Sequence, residues 1–108
     1  MSYPDNEIIV LDIAGSHARL HSTKPDAEPA LQALGFVLEG KQFVRPIADV
    51  PERESLVNKL IEMGALFSGG TGWSPAELLD MYREQGVVKS SYKTISWRGP
   101  DNFIITER

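Results

Sequence analysis

The chain has 108 residues, of which 42% are apolar and 24% charged. That is the balance of one globular domain rather than a disordered segment. Its net charge is -4, which disfavours a general coat on nucleic acid, because such binding draws on phosphate neutralisation. With no cysteine, disulfides, thiolate metal sites and cysteine nucleophiles are excluded, and a reducing compartment fits. The N-terminus lacks the basic stretch, apolar run and small-residue cleavage site of a secretory signal. The longest apolar run, Ile8–Leu11, is far short of the roughly 20 residues that span a bilayer. These features lead to the expectation of a cytoplasmic protein without a membrane segment.

Taken in order, Glu7–Ile13 is rich in β-branched residues, Ala14-Gly15-Ser16 is a turn, and His17–Ser22 alternates polar and apolar. The pattern predicts a hairpin whose first strand is buried on both faces. Asp26–Leu34 reads as a short helix with Asp26 as N-cap, Pro29 in the first turn and Gly35 as its stop. A second hairpin is expected from Phe36–Leu38 and Gln42–Ile47 around Glu39-Gly40-Lys41. Asp49 and Glu52 then have capping-box spacing with Pro51 in the first turn. Leu56, Val57, Leu60 and Ile61 make one apolar stripe, and Gly64 ends that helix.

Ala65–Phe67 suggests a short extended segment. Ser74, Pro75 and Glu77 form a full helix-start signal, followed by inward-facing Leu78, Leu79 and Tyr82 and a stop at Gly86. Thr94–Trp97 and Phe103–Thr106 flank a five-residue loop, Arg98–Asn102, as a third hairpin. The order ββ-α-ββ-α-α-ββ predicts the α+β class, as a single domain over 1–108 with residues 1–6 a loose arm.

Few motifs carry chemistry. The stretch FSGGTGWSPAELL, residues 67–79, has the glycines of a phosphate loop and a helix behind it. It lacks the Walker lysine, and its spacing misses GxGxxG. Its first role is a structural turn; an anion site there would use Ser68, Gly69, Gly70 and Thr71. Trp73 stands at the N′ position and is expected to staple onto Leu78 or Leu79, with part of the indole edge at the surface. His17 and His21 lie four apart on a strand, about 13 Å along it, too far to share one metal. No GxSxG elbow exists. The carboxylates Glu52 with Glu54, and Asp80 with Glu84, read as solvated helix charges. No catalytic residue, metal ligand or cofactor is expected.

The tail differs from the rest. Residues 1–86 carry 7 Lys+Arg against 13 Asp+Glu, net -6, and residues 87–108 carry 4 against 2, net +2. KSSYKTISWRGP interleaves Lys89, Tyr92, Lys93, Trp97 and Arg98, a mixture able to stack bases and meet phosphates. Helix 51–63, helix 75–85 and hairpin 94–106 also have winged-helix order. A ten-residue link between the helices, and Glu77, Asp80 and Glu84 on the second, oppose that arrangement. The expectation is therefore a non-catalytic binding module for another protein, or for self-association, through Trp73, Tyr92, Trp97 and Arg98. The alternative is nucleic-acid binding through Lys89, Lys93, Trp97 and Arg98.

Overall fold

The computed structural model describes residues 3–70 and 73–108. The elements are β1 (Ile8–Asp12), β2 (His17–Ser22), α1 (Glu28–Ala33), β3 (Val37–Glu39), β4 (Gln42–Pro46), α2 (Val50–Glu62), β5 (Leu66–Ser68), α3 (Pro75–Glu84), β6 (Lys93–Gly99) and β7 (Asn102–Glu107). They build a small α+β domain around one 7-stranded sheet in the order β3-β4-β2-β1-β5-β6-β7. The three expected hairpins are antiparallel, whereas β1, β5 and β6 run parallel through the middle.

Local chemistry accounts for most boundaries. The Asp49 carboxylate accepts the Glu52 N–H at 2.9 Å and starts α2; Ser74 Oγ accepts the Glu77 N–H at 3.4 Å and starts α3. Gly64 (φ +76) and Gly86 (φ +78) follow these helices in the left-handed region, which glycine enters with no Cβ penalty. α1 departs from expectation. Its N-cap is Ala27, with no side-chain cap, and Asp26 sits one residue earlier at φ 62. Aspartate tolerates that left-handed conformation, so here it shapes the turn instead of capping. The last hairpin is tighter than expected. β6 extends to Gly99 and β7 begins at Asn102, with a bulge between Trp97 and Gly99 taking up the extra residue.

Residues 66–68 bring the largest change. They form an interior strand, buried throughout, between β1 and β6. The element order is therefore ββ-α-ββ-α-β-α-ββ, and the two long helices are separated by a strand instead of a tight turn. The winged-helix order is not realised. Both β4-α2-β5 and β5-α3-β6 are parallel crossovers that advance in the same direction across the sheet. α1 joins β2 to β3, which run the opposite way and step in the opposite direction, so the two reversals cancel. A common hand for crossovers then sets all three helices on one side. Their buried residues agree: Leu31, Leu56, Val57, Leu60, Leu78, Leu79 and Tyr82 share one cluster with Val10, Leu20, Phe43 and Phe67. Arg53 pins α2 to the first hairpin, donating to the Ile13 carbonyl at 3.0 Å and the Gly15 carbonyl at 2.8 Å.

Candidate functional site

The other side of the sheet carries no helix among the described residues. Strand alternation decides what stands there. In β1, Ile8 and Val10 join the helix-side core, which turns Ile9 and Leu11 outward; in β2, Ala18 and Leu20 do the same to Arg19 and His21. Leu66 of β5 and Ile95 of β6 complete the pattern. Ile9, Leu66 and Ile95 form a separate buried cluster, ringed by the partly buried Tyr3, Leu11, Trp97 and Phe103. Cross-strand register places Lys93 beside Glu107, Ile95 beside Ile105 and Trp97 beside Phe103 on this same face.

Tyr3 spans the cluster. Its ring stacks on His21 with centroids 4.1 Å apart and meets Trp97 edge-on at 5.7 Å. The segment from Tyr3 to Asn6, read from sequence as part of a loose arm, is tied down beside it. Pro4 is buried, Thr23 Oγ1 donates to the Pro4 carbonyl at 2.6 Å, and the Glu7 N–H donates to Thr23 Oγ1 at 3.0 Å. The result is an aromatic and aliphatic surface bordered by Arg19, His17 and Lys93, with Glu107 at one end.

The residues singled out from sequence do not form one patch. Trp97 lies half-buried on the uncovered face, and Lys93 stands exposed on the same side of β6. Arg98 is exposed and is the unpaired residue of the bulge, where the alternation of β6 is interrupted. Lys89 is exposed in the α3–β6 loop. Trp73 is 54% exposed, so more than the indole edge reaches the surface. Tyr92 is only 2% exposed; its ring meets Phe67 edge-on at 6.4 Å, and no face of it is left for a partner. In the glycine stretch, Ser68 is buried and the Gly69 N–H already donates to the Ile95 carbonyl at 2.8 Å. The Gly69 donor is thereby committed, Gly70 is exposed, and Thr71 lies outside the described residues.

Polar chemistry concentrates on the helix side. Arg83 lies over the Tyr92 ring at 4.4 Å, the Tyr92 hydroxyl donates to Asp80, and Arg108 pairs with Asp80 at 2.9 Å. Burial, then the bond to the Asp80 carboxylate, pushes the Tyr92 hydroxyl above the usual phenol range. Burial also works to raise Asp80. The hydrogen bonds from Tyr92 and Arg108, and the charges of Arg108 and Arg83, outweigh it and hold the carboxyl below its ordinary value. This cluster locks α3 to β6 and β7. A cleft of about 340 Å³ between α1 and α2 is lined by Arg45, Glu52, Ser55 and Lys59. Its arginine is already spent on Glu52 and on the Leu34 carbonyl at 2.8 Å. No group of three His, Asp or Glu side chains among the described residues could hold a metal ion.

Sequence reasoning missed Tyr3, Leu11, His21 and Phe103 as members of the surface. Their faces depend on which strands become neighbours, and only the alternation around Ile9 and Ile95 hinted at it. No protein-family model, curated protein or solved structure matches this chain.

Proposed function

We propose that the protein is a non-catalytic binding module that holds a protein segment on its uncovered sheet face around Trp97. One observation carries the reading: all three helices cover the same side, and the other side presents Tyr3, Leu11, Trp97 and Phe103 over a sealed aliphatic centre. Aromatic side chains with a neighbouring arginine are the types that dominate binding energy at protein interfaces. Arg19 and Lys93 at the border supply donors for carboxylates, so the fitting segment is apolar with acidic flanks. Pull-down from cell extract with wild type, Trp97→Ala and Arg19→Glu tests it, at matched stability checked by urea unfolding. Loss of the same partners from both variants supports the face; equal recovery by all three removes it.

A second reading is single-stranded nucleic acid on the same face. It is favoured by Lys93 lying on the same face as Trp97 and Phe103, about 13 Å along β6, so that a base could stack at one end and a phosphate be met at the other. Oligonucleotide binding across a salt series distinguishes the two. Nucleic-acid contact requires affinity to fall with salt and Lys93→Ala to flatten the slope. No binding at low salt leaves the protein partner alone.

A further inference from the structure

We infer that the free edge of β7 pairs with β7 of a second copy, joining two sheets into one across a two-fold axis. β7 ends the strand order, and no described strand lies beyond it. Its backbone directions follow from one observed pair. Tyr92 and Arg108 exchange both hydrogen bonds, at 3.1 and 2.8 Å. Antiparallel ladders alternate bonded and non-bonded pairs. Thr94 with Thr106 and Ser96 with Ile104 are therefore bonded, and the N–H and C=O groups of Phe103, Ile105 and Glu107 point away from β6 with nothing beside them in the sheet.

The side chains say what kind of partner fits. Ile105 lies on the uncovered face and Ile104 on the opposite one, and they are 42% and 41% exposed. A helix or loop docked on one face could cover only one of them. Only a strand added in the plane of the sheet meets both, and it alone satisfies the backbone groups. The usual guards are confined to the ends of the edge, at Asp101 and Glu107: Phe103 to Thr106 holds no charge, no proline and no bulge. The opposite edge, β3, is only 3 residues long and is followed by Gly40-Lys41.

The strand is also its own complement. With Ile105 on the axis, Ile105 pairs with Ile105 of the partner subunit, Phe103 with Glu107 of the partner subunit, and Ile104 lies against Thr106 of the partner subunit. Shifting the register two residues toward the hairpin sets Glu107 opposite Asp101 of the partner subunit, a like-charge pair. Shifting it the other way leaves Phe103 unpaired within the strand. A single strand edge buries less than the roughly 1,200 Å² of a typical stable interface. The dimer is therefore weak and concentration-dependent. It stands independently of the function proposed above.

Sedimentation velocity over a concentration series, with hydrogen exchange at low and high concentration, tests the pairing. Wild type is expected to shift from monomer to dimer, while the amides of Phe103, Ile105 and Glu107 gain protection. The inward amides of Ile104 and Thr106 stay protected throughout. Ile105→Pro removes an N–H that β6 does not use, a substitution that edge strands accept, and should abolish the shift with an unchanged circular dichroism spectrum. Ile105→Lys, which keeps the backbone and adds a like charge on the axis, should do the same and stands in if the proline variant does not fold. A wild type that stays monomeric at every concentration overturns the inference. So does dimerisation that survives a folded Ile105 variant, or that is lost in Trp97→Ala and kept in Ile105→Lys.

Discussion

Leu66→Ala tests whether the helix-free side of the sheet holds a true second core. Leu66 is 0% exposed, as are its neighbours Ile9 and Ile95, although no helix among the described residues covers them. Truncation to alanine removes three carbon atoms, about 2.4 kcal/mol at ~0.8 kcal/mol per buried methylene group. A cavity term adds to this, since buried leucines lose about 2–5 kcal/mol on such a change. The covering side chains Tyr3, Leu11, Trp97 and Phe103 are themselves partly exposed. They can close part of the void, which sets the expectation at about 2–3 kcal/mol. For a domain of this size that lowers the melting temperature by about 10–20 °C. Urea unfolding followed by far-ultraviolet circular dichroism measures it, with an unchanged slope as the sign of a pure stability effect. A loss under about 1 kcal/mol would mean that water already reaches Leu66, and the sealed centre beneath the proposed binding face would not exist.

Three further predictions concern separate elements. Trp73→Ala should cost under about 2 kcal/mol in the same unfolding assay, because a residue 54% exposed has less to lose than the 3–5 kcal/mol of a sealed aromatic. Asp49→Ala should cost about 1 kcal/mol and Asp49→Asn much less, as only the first removes the acceptor for the Glu52 N–H. Asp80→Asn should cost about 0.2–1 kcal/mol near neutrality, the range for exposed pairs, given that both partners are nearly half exposed. Because the folded carboxyl of Asp80 sits below its ordinary value, its contribution is present above the unfolded value near pH 4 and is lost as pH falls further. Wild type and variant should therefore converge in acid; a constant gap down to pH 2 would refute the assignment.

Punctuation was the most legible part of the sequence. Asp49, Ser74, Gly64 and Gly86 place α2 and α3 because capping is settled within four residues of chain. The hairpins follow from alternation around short glycine turns. What stayed hidden depends on residues far apart in sequence. Leu66–Ser68 is too short to declare itself a strand, and its position between β1 and β6 is decided by pairing with Ile9, Val10 and Thr94. Tyr92 looked like a surface aromatic beside two lysines, yet parity in β6 turns it toward Phe67. Trp73 holds the N′ position of a staple, but position alone does not fix how much of an indole stays exposed, and here it is 54%. Trp97 and Lys93 were legible as members of a tail rich in aromatics and cations. Their companions Tyr3, Leu11 and Phe103 could be found only once the strands had an order.

The placement of β1 bears on how the chain is made. It leaves the ribosome ahead of the other strands of this sheet, yet it ends in the interior of the sheet, hydrogen-bonded to β2 on one side and to the distant β5 on the other. During synthesis the early strands and α1 can gather first, while the far flank of Ile8-Ile9-Val10-Leu11 waits for Leu66 and Phe67 to emerge. Until then the most apolar run in the chain is a template for pairing with a neighbouring nascent chain. Late arrival of β5 makes the interval before its docking the vulnerable stage of folding, and slowing translation between α2 and β5 should lower the yield of native protein.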